Sequence, residues 1–292
     1  MENKGRAARR RRPVYMEEES TMISKTFRIA RMIVLASFAL SSAAWAATCS
    51  SASLSGTYGF LHSGIDRDGS PAVAVTQLTF DPTTGTYTGE DLEDIGGVIV
   101  PSSVSATYEV ASNCTATAQV TLVSGGASEN VNVSFVVTPA GFLFLFQRPG
   151  ATSSGFGVRQ GFPTCTNAGV EGRFGFETTG RFLTGAPITG PVAFIGELKF
   201  SLNPSGDGVI SGHVAGSEDG TILTFADEPV TGYYKVEKDC RGTATITPKG
   251  QPEMHFSFVV VDCGKELLAI ETDSDAAVKG TLQRQFQQET SQ

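Results

Sequence analysis

The side chains that could do acid–base, nucleophilic or metal chemistry are few in this 292-residue chain, and they are scattered along it. The only histidines are His62, His213 and His255, and none has a partner at the spacing of a zinc site. No serine occupies a G-x-S-x-G nucleophile elbow, and the sequence has neither a phosphate loop nor a dinucleotide-binding glycine motif. The sequence therefore predicts no catalytic, metal-binding or cofactor-binding residue, and no cofactor.

A few other polar residues of the sequence need a separate interpretation. The segment Asp66-Arg67-Asp68-Gly69-Ser70 begins like a calcium-binding loop but lacks the later ligands and the terminal Glu, so a hairpin turn is predicted there. Glu197 and Gln77 interrupt apolar strands at matching positions, and we expect both on a solvent-facing side. Tyr108 and Tyr234 also match each other; we expect them in the core, from where their hydroxyl groups could reach a cavity.

The N-terminal 46 residues predict an export signal. Three basic residues precede the apolar run Met32–Leu40, and Ala44-Trp45-Ala46 forms a small-x-small cleavage site. The run is shorter than the roughly 20 residues of a membrane-spanning helix. We interpret residues 22–46 as a signal peptide and residues 1–21 as an extension before the true start at Met22. The mature chain is then expected to be periplasmic or extracellular and to have no transmembrane span.

The mature chain is strongly acidic, which bears on its partners. Removal of residues 1–46 takes away nine of the 22 Lys and Arg residues and four of the 30 Asp and Glu residues. This leaves 13 basic and 26 acidic side chains and a net charge of −13. Because such a chain repels phosphate backbones, no nucleic acid is expected as a partner.

The elements that position these residues come as two tandem copies of one pattern. Five segments recur in the same order, with an offset that drifts only from 116 to 126 residues. The first copy has Gly56–Phe60, Leu78–Phe80, Gly85–Gly89, Tyr108–Val110 followed by Cys114, and Ser134–Val137; the second has Gly172–Phe176, Leu198–Phe200, Gly208–Gly212, Tyr234–Val236 followed by Cys240, and Ser257–Val260. The copies predict two domains, residues 47–161 and 165–292.

Each copy is predicted to be β-structure throughout. Segments rich in Val, Ile, Phe, Tyr and Thr alternate with Gly, Pro, Asn and Asp turns, and no amphipathic helical run follows residue 47. The predicted strands are 54–62, 71–80, 85–90, 97–110, 115–123, 130–138, 141–147 and 154–160, then 170–178, 191–201, 207–214, 221–225 with 230–237, 242–248, 253–261, 265–271 and 277–284. This order favours an all-β fold of two tandem antiparallel up-and-down barrels of about eight strands each, with two β-sandwiches as the alternative.

The recurring pattern GxYGF…G, LxF, GxΦ(S/T)G, YxV…C and FxFVVV…G resembles uncharacterised secreted bacterial tandem β-barrel proteins. It covers most of residues 49–285, and its motifs are structural glycines, aromatics and cysteines. The resemblance implies a barrel of lipocalin or allene oxide cyclase shape and an exported location. It transfers no catalytic residue.

Five cysteines in an exported chain predict disulfides with one thiol left over. In the repeat, Cys49 corresponds to Cys165 and Cys114 to Cys240, and all five cysteines fall at one end of an eight-stranded meander. We therefore predict the structural disulfides Cys49–Cys114 and Cys165–Cys240. The alternative Cys240–Cys263 stays open, because these two cysteines flank one hairpin.

Three kinds of function fit this sequence. The one we favour is an exported, non-enzymatic barrel protein that binds a small apolar ligand or a cell-envelope protein. A barrel-cyclase-like enzyme and a structural or adhesive surface protein are the alternatives. The absence of a sequence motif for acid–base or nucleophilic chemistry favours the first and the third.

Overall fold

Antiparallel strands make up nearly all of the regular structure. The computed structural model describes residues 48–186, 189–223 and 229–285, so the predicted extension (1–21) and signal peptide (22–46) lie outside the described residues. Within the described parts, the helical segments are three short 3-10 turns. No described helix has the length and apolar character needed to cross a membrane.

The first barrel is closed by eight strands in chain order. The last strand, β8, pairs antiparallel with β1, for instance Leu61 with Phe156. The strands are β1 (Gly56–Ile65), β2 (Pro71–Asp81), β3 (Thr86–Ile95), β4 (Val98–Val110), β5 (Thr115–Ser124), β6 (Ala127–Thr138), β7 (Gly141–Arg148) and β8 (Ala151–Arg159).

The second barrel repeats this topology, with its fourth strand interrupted. Its strands are β9 (Gly172–Phe182), β10 (Gly190–Leu202), β11 (Gly208–Glu218), β12 (Thr221–Leu223), β13 (Pro229–Val236), β14 (Arg241–Pro248), β15 (Met254–Val261), β16 (Glu266–Glu271) and β17 (Ala276–Arg284). The short β12 pairs with the end of β11, and β13 pairs with its beginning. Pairings of β10 with β11 and of β17 with β9 close the ring.

The barrel prediction is confirmed and the sandwich alternative is wrong. In both units the first and last strands exchange hydrogen bonds, so neither unit has the open edges of two facing sheets. Side chains alternate as a barrel requires: Val131, Val133 and Phe135 point into the first core, while Asn130 and Asn132 point outward.

Each barrel has a plug at the end where its disulfide lies. In the first barrel the 3-10 turn Ser51–Ser53 leads into Leu54, which is fully buried, and in the second the turn Asn167–Val170 delivers Val170. Both plugs come directly before the first strand of their barrel, so the chain enters each barrel across its own closed end. Any access to an interior must therefore come from the opposite end.

The two barrels pack against each other through apolar outer faces. Gly59 of β1 lies so close to Val259 and Val261 of β15 that a Cβ on this glycine would collide with both side chains. The shared cluster combines residues of both barrels: Leu61, Val73 and Val75 from the first, and Val259, Val261, Leu268 and Ile270 from the second. Polar contacts flank it, including the amide of Cys263, which donates to the carbonyl of Gln160 at 2.8 Å.

Candidate functional site

The interior of the first barrel is filled by side chains. Aromatic rings pack against one another along its length, and Phe144 makes edge-to-face contacts with the rings of Phe60, His62 and Phe146. The pocket among these rings has a volume of about 30 Å³. A volume of this size holds about one water molecule and no organic ligand.

The second barrel contains a cavity of about 520 Å³ at the end opposite its disulfide. The cause is a set of smaller residues at equivalent barrel positions. Phe135 pairs with Phe144 in the first barrel, whereas the matching Phe258 pairs with Ala269 in the second. On the same repeat alignment, Thr178 replaces His62. A bulky layer of the first barrel is therefore missing from the second.

The wall of the cavity is mainly apolar and its rim is acidic. The size lies within the range of about 300–1,000 Å³ that is typical of small-molecule sites. The apolar wall consists of Phe176, Phe182, Phe194, Leu198, Val214, Val230, Ile246, Met254 and Phe256, with Pro248 and Pro252 at the rim. The acidic lining residues are Glu218, Glu253, Glu271, Asp273 and Asp275.

Glu271 is the most unusual residue of this cavity. It ends β16 on the same inward side as Leu267 and Ala269, and only 3% of its surface is exposed. Its Oε2 atom has no hydrogen-bond partner among the described residues. Burial raises the pKa of this carboxyl group to about 8, with a further contribution from the charges of Asp273 and Asp275. Glu271 is therefore a largely protonated acid at neutral pH, and it faces a ligand-sized space.

The loop after Glu271 joins the cavity rim to the rest of the molecule. Asp273 accepts hydrogen bonds from the backbone amide of His255, and its other oxygen lies 2.8 Å from the Nδ1 atom of the same residue. Ser274 of this loop packs against Gly97 of the first barrel. The first barrel thereby supports one side of the rim.

A second cluster of buried polar residues lies at the corresponding end of the first barrel. The Nε2 atom of His62 is 3.7 Å from Oδ1 of Asp91, which also accepts a hydrogen bond of 2.5 Å from Thr76. Arg148 pairs with Glu93 at 3.3 Å, and burial raises the pKa of the Glu93 carboxyl group. The space beside Glu93 and Arg148 is only about 10 Å³, and the groups of this cluster pair with each other.

The structure has the two disulfides Cys49–Cys114 and Cys165–Cys240. The hairpin alternative is not formed, since Cys240 is bonded to Cys165; Cys263 is the described cysteine outside these bonds, and it is exposed. No described group of three or more His, Cys, Asp or Glu side chains is arranged to hold a metal ion.

Tyr108 and Tyr234 belong to the two cores and hold the plugs. The Tyr108 hydroxyl lies 3.4 Å from the carbonyl of Ser51, and the Tyr234 hydroxyl donates to the carbonyl of Asn167 at 3.1 Å. They lie at the closed ends, and neither lines the large cavity. Their role in the structure is to anchor the plugs.

The expectation for Gln77 needs a correction, whereas Glu197 does face outward. Glu197 is partly exposed and pairs with Arg173. Gln77, its equivalent, donates to the backbone carbonyl of Asp239 in the other barrel. A polar outer-face residue was expected to meet water, but in the first barrel this face packs against the second.

Sequence reasoning missed Glu271. The segment Glu266–Glu271 has apolar residues on both faces, so its final glutamate resembles an ordinary turn residue. The available signal was the repeat: Val133 pairs with Phe146, the matching Phe256 pairs with Glu271, and the glutamate thus replaces an inward phenylalanine. Without the strand register this equivalence is hidden, because the two copies differ in turn length.

Comparison with known proteins gives structural neighbours without an assigned function. No family model matches the chain, and no curated protein matches it. Among solved structures, a protein of unknown function from the DUF3598 family of Nostoc punctiforme is 11% identical, with 80% of this chain and 97% of that chain covered and a TM-score of 0.28. A β-barrel-like protein of the domain of unknown function DUF1849 from Brucella abortus is 11% identical, with 79% and 97% covered and a TM-score of 0.21.

Proposed function

We propose that this protein is an exported binding protein whose second barrel takes up a small, largely apolar ligand. One observation carries the proposal: the second barrel keeps a cavity of about 520 Å³ at the position where the first is filled by aromatic side chains. A cavity of this size gives up packing contacts between side chains, so its presence favours a use for it. The first barrel then serves as a rigid support.

Export and the domain division are part of this proposal. The signal-peptide pattern in residues 22–46 and two disulfides support a periplasmic or extracellular protein made of units 47–161 and 165–292. N-terminal sequencing of the native protein should find Ala47 first. A mature chain that retains residues upstream of Met32 would contradict export by this signal.

Ligand uptake can be tested with a fluorescent apolar probe and a variant that fills the cavity. Ala269→Phe introduces the residue type of Phe144, whose ring contacts Phe60 and His62, the repeat equivalents of the lining residues Phe176 and Thr178. We expect the mature protein to bind N-phenyl-1-naphthylamine saturably and the variant to bind it at least tenfold more weakly. Ala193→Phe adds the same ring to the outer face of the same barrel and is the matched control.

The result that would overturn the proposal is equally specific. Absence of saturable probe binding, or unchanged binding by a folded Ala269→Phe protein, excludes the cavity as the site. Native mass spectrometry of protein purified from its own host complements the titration, because a co-purifying small molecule identifies the ligand directly.

An acid-catalysed reaction is the second candidate, and Glu271 is the observation that favours it. A protonated carboxylic acid in an apolar cavity is the arrangement that a general acid requires. The two functions differ in what happens to the bound molecule. A binding protein returns its ligand unchanged, whereas an enzyme of the barrel-cyclase kind releases an isomer of it.

A further inference from the structure

We propose that the ligand of the second barrel is a lipophilic amine, whose hydrocarbon part fills the cavity and whose ammonium group meets Glu271 and the acidic rim. This inference rests on the proposed function and specifies the chemical class of the ligand.

The charge of the cavity lining carries the first step. Five of the described lining residues are acidic and none is Lys, Arg or His. His255 is hydrogen-bonded to Asp273 and does not line the cavity. Asp94 of the first barrel adds another carboxyl group near Glu271. A positively charged ligand group is attracted by the carboxylates at the rim, whereas a fatty acid is repelled by them.

Glu271 carries the second step. Its carboxyl group is buried at the inner wall, and its Oε2 atom has no hydrogen-bond partner in the part of the chain that the structure describes. Natural proteins rarely leave such an atom unsatisfied. An ammonium group has three donors and matches an acceptor that lacks a donor. The pairing also supplies the opposite charge that a buried carboxylate needs.

A metal ion is the competing cation, and the geometry argues against it. The described acidic residues of the cavity do not converge as a group of three ligands. The wall beside Glu271 is formed by apolar residues such as Phe256 and Met254. A cation attached to a hydrocarbon chain satisfies both the carboxyl group and this wall, which a bare ion does not.

Protonation gives the inference a distinctive signature. Before a ligand binds, the pKa of Glu271, about 8, keeps most of this carboxyl group protonated at pH 7. Asp273, Asp275 and Asp94 are the charged groups that raise this pKa, and Glu218, Glu253 and the His255–Asp273 pair complete the titratable surroundings. An incoming ammonium ion pairs with the carboxylate form. Binding therefore releases close to one proton, which binding of a neutral ligand does not do.

The test compares three probes of one chain length by isothermal titration calorimetry at pH 7, below their aggregation concentrations. The probes are n-decylamine, n-decanol and sodium decanoate, titrated into the mature protein in phosphate and in Tris buffer. We expect the amine to bind at least tenfold more tightly than the alcohol, the decanoate to bind more weakly than the alcohol, and the difference between buffers to report close to one released proton per amine.

Variants separate the role of Glu271 from its effect on folding. Glu271→Gln should weaken amine binding at least tenfold and leave alcohol binding unchanged, and Glu109→Gln, an exposed glutamate of the first barrel, should change neither. Asp275→Asn at the rim is the second variant, for use if Glu271→Gln does not fold. It should weaken amine binding several-fold. Alcohol binding equal to or tighter than amine binding overturns this inference but keeps the proposed function. Absence of binding by all three probes overturns the proposed function itself.

Discussion

At the residue scale, the burial of Glu271 lowers the stability of the folded protein. Its carboxyl group is 3% exposed and has one oxygen without a hydrogen-bond partner among the described residues, so it loses its hydration without receiving full compensation. Protonation reduces this cost, which is why its pKa is raised to about 8. Glu271 thus lowers the stability of the second barrel. Its repeat-equivalent residue in the first barrel is Phe146, an apolar residue that has no such cost.

The pH dependence of stability should reveal this residue. The folded pKa of Glu271 lies above its ordinary value of about 4.5, so its neutral form is favoured by folding and stability falls as pH rises between these two values. Glu271→Gln should therefore match the wild type in free energy of unfolding near pH 4. Above this pH it should become more stable than the wild type, and the difference should grow by on the order of 1.4 kcal/mol per pH unit at most, up to about pH 8. Thermal unfolding followed by circular dichroism measures the difference. A difference that is constant over this range, as we expect for Glu109→Gln, would contradict the assignment.

The disulfides show a second feature at this scale. Cys114 and Cys240 both adopt left-handed backbone conformations, with φ of 67° and 73°. Such a conformation costs roughly 1–2 kcal/mol for a residue with a Cβ atom. The bond across 65 residues stabilises the first barrel by about 4 kcal/mol in the chain-entropy description, so the net effect stays favourable.

Replacement of Cys114 by two different residues separates these two effects. Both variants are made in a Cys49→Ser background, so neither has the disulfide. Cys114→Ser keeps the strained backbone conformation, whereas Cys114→Gly relieves the strain. Both variants should unfold at lower denaturant concentration than the wild type, and the glycine variant should be the more stable by about 1 kcal/mol. Equal midpoints would show that the turn relaxes around serine.

At the element scale, the strand order followed from the sequence, but several strands run past their predicted ends, and the longest extension contains acidic residues. The prediction ended the third strand at residue 90, whereas β3 continues to Ile95. Asp91, Glu93 and Asp94 resemble turn residues in a one-dimensional pattern, but the barrel places Thr76 and Arg148 beside the first two. Such partners come from strands distant in sequence, so only the closed register reveals them. The cavity was hidden for the same reason, because it depends on which residue of β16 faces which residue of β15.

The pair Arg148–Glu93 gives a prediction for the end of the first barrel that lies opposite its disulfide. Arg148→Met leaves Glu93 buried without its cation, which typically costs about 3–5 kcal/mol. The loss should shrink at low pH, because the raised pKa of Glu93 makes its neutral form the favoured one and protonation removes the unpaired charge. Arg67→Met is the control: its pair with Glu129 is exposed and is worth about 1 kcal/mol or less. Chemical denaturation at pH 4 and pH 7 measures both, and equal losses for the two arginines would contradict the buried role of Arg148.

At the scale of the whole molecule, the apolar outer faces join two barrels that would otherwise be independent. Strands β2, β15 and β16 have buried residues on both faces, one toward their own core and one toward the neighbouring barrel. The contact between Gly97 and the loop containing Ser274 extends this interface to the rim of the cavity. The first barrel therefore fixes the position of a loop that carries two of the acidic residues next to the ligand space.

Two glycines in turns of the same kind allow the effect of the Gly97–Ser274 contact to be measured separately from backbone strain. Gly97 and Gly126 are the second residues of two-residue Gly-Gly turns in the first barrel, with φ of 89° and 85°. A Cβ at Gly126 meets no atom within 4 Å, whereas a Cβ at Gly97 collides with the carbonyl oxygen of Ser274. Gly126→Ala should thus cost only the backbone strain, about 1 kcal/mol, and Gly97→Ala should cost that amount plus the displacement of the rim loop. We expect Gly97→Ala to be the less stable protein in thermal unfolding and, unlike Gly126→Ala, to weaken probe binding in the second barrel. Identical effects of the two substitutions on both measurements would mean that the first barrel does not support the cavity, because the local strain they share would then account for everything observed.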